Sequence, residues 1–162
     1  MALADPAHRE IERKFLTTGD GWRAQVVGEP VVMRAGYLSV RPESTVRVRM
    51  ENAEAVLTIK GKPVDADGRE RAEFNLPIPA AEAEAILASA MLDGGVIRKT
   101  RHTVQVGDSQ FTVDVFDHPR PGLQLAEIEL AHRDEVFERP GWLGREVTAD
   151  WSYSNSSLAA EA

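Results

Sequence analysis

Cysteine is absent from the 162 residues, which excludes disulfide bonds, thiolate zinc sites and cysteine nucleophiles. No apolar run approaches the roughly 18–20 residues that a membrane-spanning helix needs. Residues 1–9 contain no apolar stretch typical of a signal peptide. Basic residues number 19 against 26 acidic ones, and a net charge of −7 disfavours broad nucleic-acid binding, which uses many Lys and Arg contacts to phosphates. We therefore expect a cytoplasmic protein with neither a membrane nor a nucleic-acid partner.

Alternation of polar and apolar residues dominates the chain and predicts strands rather than helices. Eight segments show it, at residues 10–16, 37–40, 45–50, 55–60, 68–79, 96–106, 110–116 and 124–131. Short turns rich in Gly, Pro, Asp and Ser separate several of them and favour antiparallel hairpins. The sequence therefore predicts a mainly β (α+β) fold, an eight-stranded antiparallel β-barrel that leaves no open sheet edge.

Helix-forming sequence is scarce. Residues 79–91 are rich in strong helix formers and end before Gly94 and Gly95. Shorter helices are predicted at 20–27 and 142–147, and Ser154 begins a segment that caps a final helical turn. We expect these helices to pack outside the barrel, in a single domain over residues 1–162 with residues 1–8 as a flexible leader.

The alternation also separates charged side chains from apolar ones on the same strand. Glu10, Glu12 and Lys14 share one face of the first strand, opposite Ile11 and Phe15. Charges repeat on one face of the later strands: Arg47 with Arg49, Lys60, Lys99 with Arg101, Asp114, and Glu127 with Glu129. For any one strand a solvated outer face is the simpler interpretation. The repetition of paired acids and paired bases instead favours a tunnel with cationic and anionic zones.

Such a tunnel would suit a linear triphosphate. That ligand carries about four or five negative charges, so it needs several fixed cations and usually a divalent metal. Arginine forks bind non-bridging phosphate oxygens, and carboxylates are hard oxygen ligands for Mg²⁺ or Mn²⁺. A barrel of about eight strands can hold one small ligand.

A family resemblance supports this interpretation. The segment from Glu10 to Lys14 matches the E-x-E-x-K signature of the CYTH superfamily, the triphosphate tunnel metalloenzymes. Further matching segments follow in order at residues 36–38, 46–49, 57–61, 71–74, 99–101, 113–116, 125–130, 144–148 and 153–155. The resemblance runs from about residue 9 to the C-terminus, and it is strongest to short bacterial inorganic triphosphatases.

The resemblance implies roles for particular side chains. Phosphate would be bound by Arg47, Arg49, Lys60, Lys99 and Arg101. Metal would be bound by Glu10, Glu12, Glu127 and Glu129, with Glu73 and Asp114 as supporting acids. Lys14, with Tyr37 nearby, would position or deprotonate the attacking water; as a base it would need a lowered pKa, and Glu129 or another metal ligand is the alternative. Arg13 and Arg98 lie on the opposite strand faces and are excluded.

The implied activity is metal-dependent hydrolysis of inorganic triphosphate to pyrophosphate and phosphate, by a monomer or homodimer. The alternatives are a class IV adenylate cyclase, an organic triphosphatase acting on ATP or thiamine triphosphate, and a non-catalytic module that binds polyphosphate or nucleotide. One departure from the family is Trp151-Ser152, where relatives often carry a basic residue before the tyrosine. Glu146 is ambiguous between a structural cap and a residue of the tunnel rim.

Overall fold

The computed structural model describes residues 8–64, 66 and 68–162, so the predicted leader lies outside the described residues except for His8. Neither α-helix in these ranges is long and apolar enough to cross a membrane. The strands are β1 (Arg9–Thr17), β2 (Val26–Val40), β3 (Ser44–Glu51), β4 (Glu54–Gly61), β5 (Glu70–Ile78), β6 (Ile97–Val106), β7 (Ser109–His118), β8 (Gln124–Glu129) and β9 (Leu143–Glu146). The helices are α1 (Ala80–Leu87) and α2 (Asn155–Glu161), with 3₁₀ turns at Gly21–Gln25 and Trp151–Tyr153.

The predicted eight-stranded antiparallel barrel is confirmed. Its strands pair in the order β5-β4-β3-β2-β6-β7-β8-β1. Pairing of β1 with β5, through Arg9 opposite Ala72 and Ile11 opposite Glu70, closes the ring. The ninth strand, β9, lies outside this ring and pairs with the last part of β1, with Phe15 opposite Glu146.

Three elements differ from their predicted bounds. The segment predicted as a strand at 37–40 is the end of a 15-residue strand. The alternation of β2 is interrupted at Gly28 and Pro30, where its register with β6 shifts. Gly28 adopts a φ of 71°, which a strand pattern cannot anticipate. The helix predicted at 20–27 is a 3₁₀ turn, Gly21–Gln25, and the helix at 79–91 ends earlier, at Leu87.

The helix predicted at 142–147 is wrong. Residues Leu143–Glu146 form β9, because the free edge of β1 offers backbone hydrogen-bond partners at this point. Local helix signals carry no information about that distant edge, and four residues are too few for their own pattern to decide.

The apolar faces of the strands point away from the barrel axis and form its outer core. Around β1 and β6–β8 this core is built on buried aromatic residues, among them Phe15, Trp22, Phe111 and Trp142. On the other side, α1 packs Ala83 and Leu87 against Val48 of β3. Trp22 and Trp142 therefore lie outside the barrel. The interior is therefore free for the charged faces.

One end of the interior is apolar and covered by α2. Alternation places Ile97, Phe116 and Leu125 on inward faces, and these side chains pack against Leu158 and Ala159 of α2. The helix can lie this close because its partner loop contains glycine. The Gly95 amide donates to the Ala159 carbonyl at 2.8 Å. A Cβ on Gly94 would lie 2.3 Å from that same oxygen.

Replacing Gly94 with alanine should therefore detach α2. Gly94 and Gly28 both have positive φ, at 92° and 71°, but only at Gly94 would the added Cβ meet other atoms. We expect Gly28→Ala to cost about 1 kcal/mol through backbone strain alone, and Gly94→Ala to cost about 2 kcal/mol more than that. Equilibrium urea unfolding measures both variants. Equal losses would show that α2 does not depend on this contact.

Candidate active site

A cavity of about 460 Å³ lies inside the barrel, beyond the apolar end. Most of the predicted site residues line it: Glu10, Glu12, Lys14, Tyr37, Arg47, Arg49, Lys60, Glu73, Arg101, Glu127 and Glu129. The inward faces of seven strands supply them, and the volume suits one small ligand. The charged faces therefore point inward, as the repeated pairs of like charges indicated.

Lys99 and Asp114 are the predicted site residues that do not line the cavity. The Lys99 ammonium is 4% exposed; it is ion-paired to Asp114 and donates to the Asn155 side-chain oxygen at 3.2 Å. Burial lowers the pKa of Lys99 to about 8. The charge of Arg101 also lowers this pKa, whereas the charge of Asp114 acts in the opposite direction. The Lys99 side chain is thus held in the wall by Asp114 and Asn155, and it does not line the cavity.

The cationic zone is built on Arg47 and Arg49, on the inward face of β3. Arg47 is 7% exposed and donates to the Thr58 hydroxyl at 3.3 Å, but among the described residues it has no carboxylate partner. Arg49 contacts Glu51 at 2.5 Å. Burial, together with the charge of Arg47, lowers the pKa of Arg49 to about 10. Positive charge here exceeds what the protein itself neutralises.

In a second zone, cations and carboxylates form ion pairs with one another. The Lys60 ammonium lies 2.8 Å from Glu10 and 2.7 Å from Glu73. Arg71 bridges two acids, with its Nε 3.1 Å from Glu10 and its Nη2 3.2 Å from Glu12. Arg71 was not among the predicted site residues. The signal was present, because Arg71 lies two residues before Glu73 and so shares its strand face.

Negative charge is crowded around Glu129. Burial raises the pKa of this carboxyl, and the nearby charges of Glu10, Glu73 and Glu12 raise it further. Carboxylates crowd in this way when a cation that would neutralise them is missing. Hard carboxylate oxygens are the ligands that Mg²⁺ and Mn²⁺ prefer, so the donor chemistry fits a divalent metal. Within the described ranges, however, no three acidic or histidine side chains converge as a ready metal site.

Lys14 is held as a cation. Its ammonium lies 3.0 Å from Glu127, whose other oxygen accepts from Arg101 at 3.0 Å. Burial acts against the charged form, but Glu127 and Glu12 outweigh it and raise the pKa of Lys14. Proton abstraction would require a lowered pKa, whereas these carboxylates favour the ammonium form of Lys14. Tyr37 is buried at the apolar end, where it packs with Ile97 and also lines the cavity.

The C-terminal segment also lines the cavity. Trp151, which is 61% exposed, lies there together with Ser154 and Asn155. Arg41 and Lys62 lie on other parts of the same lining. The departure at Trp151 therefore falls on the lining of the cavity.

Comparison with known proteins matches residues 8–159 to the CYTH domain. An inorganic triphosphatase of Acetivibrio thermocellus is 39% identical over 150 residues, which cover 93% of this chain and 92% of that protein. An inorganic triphosphatase of Nitrosomonas europaea is 34% identical over 156 residues, covering 93% and 96%.

Solved structures give the same result. The crystal structure of an inorganic triphosphatase superposes with a TM-score of 0.64 and 30% identity, covering 93% of this chain and 94% of that one. A protein of Pyrococcus horikoshii OT3 superposes with a TM-score of 0.61 and covers 78% of this chain and 80% of its own. At 16% identity, this second likeness concerns the fold alone.

Arg47 and Lys60 should affect stability in opposite directions when each is replaced with methionine. Arg47→Met removes a buried charge without a carboxylate partner, and we expect it to raise the free energy of unfolding by about 1 kcal/mol. Lys60→Met leaves Glu10 and Glu73 without their ammonium, and we expect a loss of about 2 kcal/mol. Urea unfolding in EDTA, without phosphate, measures both. A larger loss for Arg47→Met than for Lys60→Met would contradict the charge excess described here.

Proposed function

The chain belongs to the CYTH domain family, and from that premise we propose that it hydrolyses inorganic triphosphate to pyrophosphate and phosphate inside its barrel. One observation carries the proposal: within the part of the chain that the structure describes, one cavity contains a buried arginine with no carboxylate partner, Arg47, and a carboxylate crowded by other acids, Glu129. A polyphosphate accompanied by a divalent metal would balance both charges at once. The relatives, which are inorganic triphosphatases matched over 93% of this chain, favour this substrate over the alternatives, among them a cyclase.

The substrate would lie along the cationic zone. Arg47 and Arg49 offer planar donors to non-bridging oxygens, and their buried positions make these contacts stronger than they would be in water. Arg101 and Lys60 would add charge from neighbouring strands. Asp114 would support them by orienting Arg101, whose Nε lies 2.7 Å from it, and Glu73 by holding Lys60.

Glu10, Glu12, Glu127 and Glu129 would hold the metal, which we propose is Mg²⁺ or Mn²⁺. When bound, such an ion neutralises phosphate charge and makes water a better nucleophile. Because Lys60 and Arg71 hold Glu10 and Glu12 in the chain described here, metal and these cations compete for the same oxygens. The metal site would therefore form together with substrate binding, as the cations turn towards phosphate.

In the reaction, one water attacks the terminal phosphorus in line, the phosphoanhydride bond breaks, and pyrophosphate leaves. The arginines stabilise charge on the transferred group and on the leaving oxygen. Lys14 would contribute as an ammonium because Glu127 holds it in that form at 3.0 Å. We assign it to charge stabilisation and positioning of the water, not to proton abstraction.

A phosphate-release assay tests the activity. We expect release from tripolyphosphate with Mg²⁺ or Mn²⁺, far less release from ATP or pyrophosphate, and none in EDTA. Cyclic AMP formed from ATP would support a cyclase, and binding without turnover would support a non-catalytic module. Arg47→Met serves as a folded control, and we expect it to lower kcat/KM for tripolyphosphate by about 100-fold.

Two substitutions test the role of Lys14. Arginine keeps the charge but cannot act as a base near neutral pH. We expect Lys14→Arg to retain at least about a tenth of kcat, and Lys14→Ala to lose about 100-fold. Steady-state kinetics with tripolyphosphate measures both. An equal and complete loss of kcat in the two variants would instead indicate that Lys14 acts as the base.

A cytoplasmic location, a monomer or homodimer, and the absence of a nucleic-acid partner stay predictions of the sequence. So does a single domain over residues 1–162.

A further inference from the structure

Among the described residues, no strand pairs with one edge of β1 at Glu12–Lys14, where its site residues lie. On its other edge β8 pairs with it from Glu12 to Leu16. On this edge β5 pairs only with Arg9–Ile11, and β9 pairs only with Phe15 and Thr17. The gap between them includes Glu12 and Lys14, which both point into the cavity.

The segment that follows β9 fills this gap. The Lys14 amide donates to the Thr148 hydroxyl at 2.9 Å, and the Lys14 carbonyl accepts from the Val147 amide at 2.8 Å. The Glu12 amide donates to the Arg69 carbonyl at 3.0 Å. The backbone of Lys14 is therefore held at both of its polar groups by residues 147–148, where a strand would otherwise hold it.

Glu146 fixes the Thr148 hydroxyl from outside the barrel. That hydroxyl donates to Glu146 Oε1 at 2.9 Å, so it accepts from Lys14 and donates to Glu146 at the same time. The same carboxylate accepts from Arg13 Nε at 2.9 Å, and the Arg69 guanidinium lies 3.7 Å away. Glu146 thus joins β1 to the chain that leads into β5, across the gap.

We propose that Thr148 and Glu146 are positioning residues for Lys14. Neither is among the residues that line the main cavity, yet they fix the backbone from which Lys14 reaches Glu127. A displacement of this backbone by about 1 Å would be enough to misplace the ammonium and slow the reaction. Glu146, ambiguous from sequence, has its role here. The inference rests on the proposed function for its kinetic readout only.

Two substitutions of Thr148 test the proposal. Thr148→Val keeps the shape of the side chain but removes the acceptor of the Lys14 amide, whereas Thr148→Ser keeps the hydroxyl. We expect the valine variant to speed hydrogen exchange of the Lys14 amide by at least about tenfold, measured by NMR. We expect its kcat for tripolyphosphate to fall about tenfold with KM within about twofold. Serine should restore both values. Glu146→Gln should give a smaller change in the same direction.

Thr100→Val is the matched control, because Thr100 is half-buried, as Thr148 is, and among the described residues its hydroxyl has no hydrogen-bond partner. It should change neither exchange of the Lys14 amide nor kcat. The proposal would be overturned by an unchanged kcat in Thr148→Val, by a loss of kcat that Thr148→Ser shares, or by an equal loss of kcat in Thr100→Val. Absence of turnover in the unmodified protein would refute the proposed function instead, while exchange of the Lys14 amide would still test the hold on that residue.

Discussion

The register of β1 is the constraint on which the interior depends. This strand pairs with β8 along one edge and with β5 and β9 along the other, so its faces cannot rotate independently. A slip of one residue would turn Ile11 and Arg13 into the cavity and send Glu12 and Lys14 into the outer core. Burial of those charges among apolar side chains would cost several kcal/mol for each ion. The buried positions of Ile11 and Phe15 in the outer core therefore determine the polarity of the site.

The interior is electrostatically incomplete by itself. Lys60 and Arg71 neutralise Glu10 and Glu12, yet among the described residues Arg47 has no carboxylate partner and Glu129 lies among other acids. Selection for stability alone would disfavour a buried arginine without a carboxylate, since an apolar residue of similar size is often more stable there. On the proposed function, the ligand would balance these charges, and part of the binding energy would come from relief of an unfavourable arrangement.

Sequence pattern predicted the barrel and most of the charged residues that line its cavity, because both follow from alternation. The alternation within each strand determines which of its faces is charged. Closure of the barrel then brings Arg47 and Glu127 into one cavity. The failures involve contacts between distant segments. The strand β9 forms only because β1 has a free edge, and β2 was cut short by the bend at Gly28. Arg71 alternates regularly with Glu73, but this pair of opposite charges does not repeat the pattern of like charges on the other strands.

Position along the barrel axis explains why equivalent lysines differ. Lys60 and Lys99 both lie on inward faces, but Lys99 lies two residues from Ile97, next to the apolar end that α2 covers. There it is paired with Asp114 and buried, so it lies in the wall of the barrel and does not line the cavity. Asp114 in turn holds Arg101, which reaches Glu127 in the layer above. Alternation reports which face a residue occupies but not its depth. Depth is set by where the apolar end stops, and this boundary separates charges that are buried in the wall from charges that line the cavity.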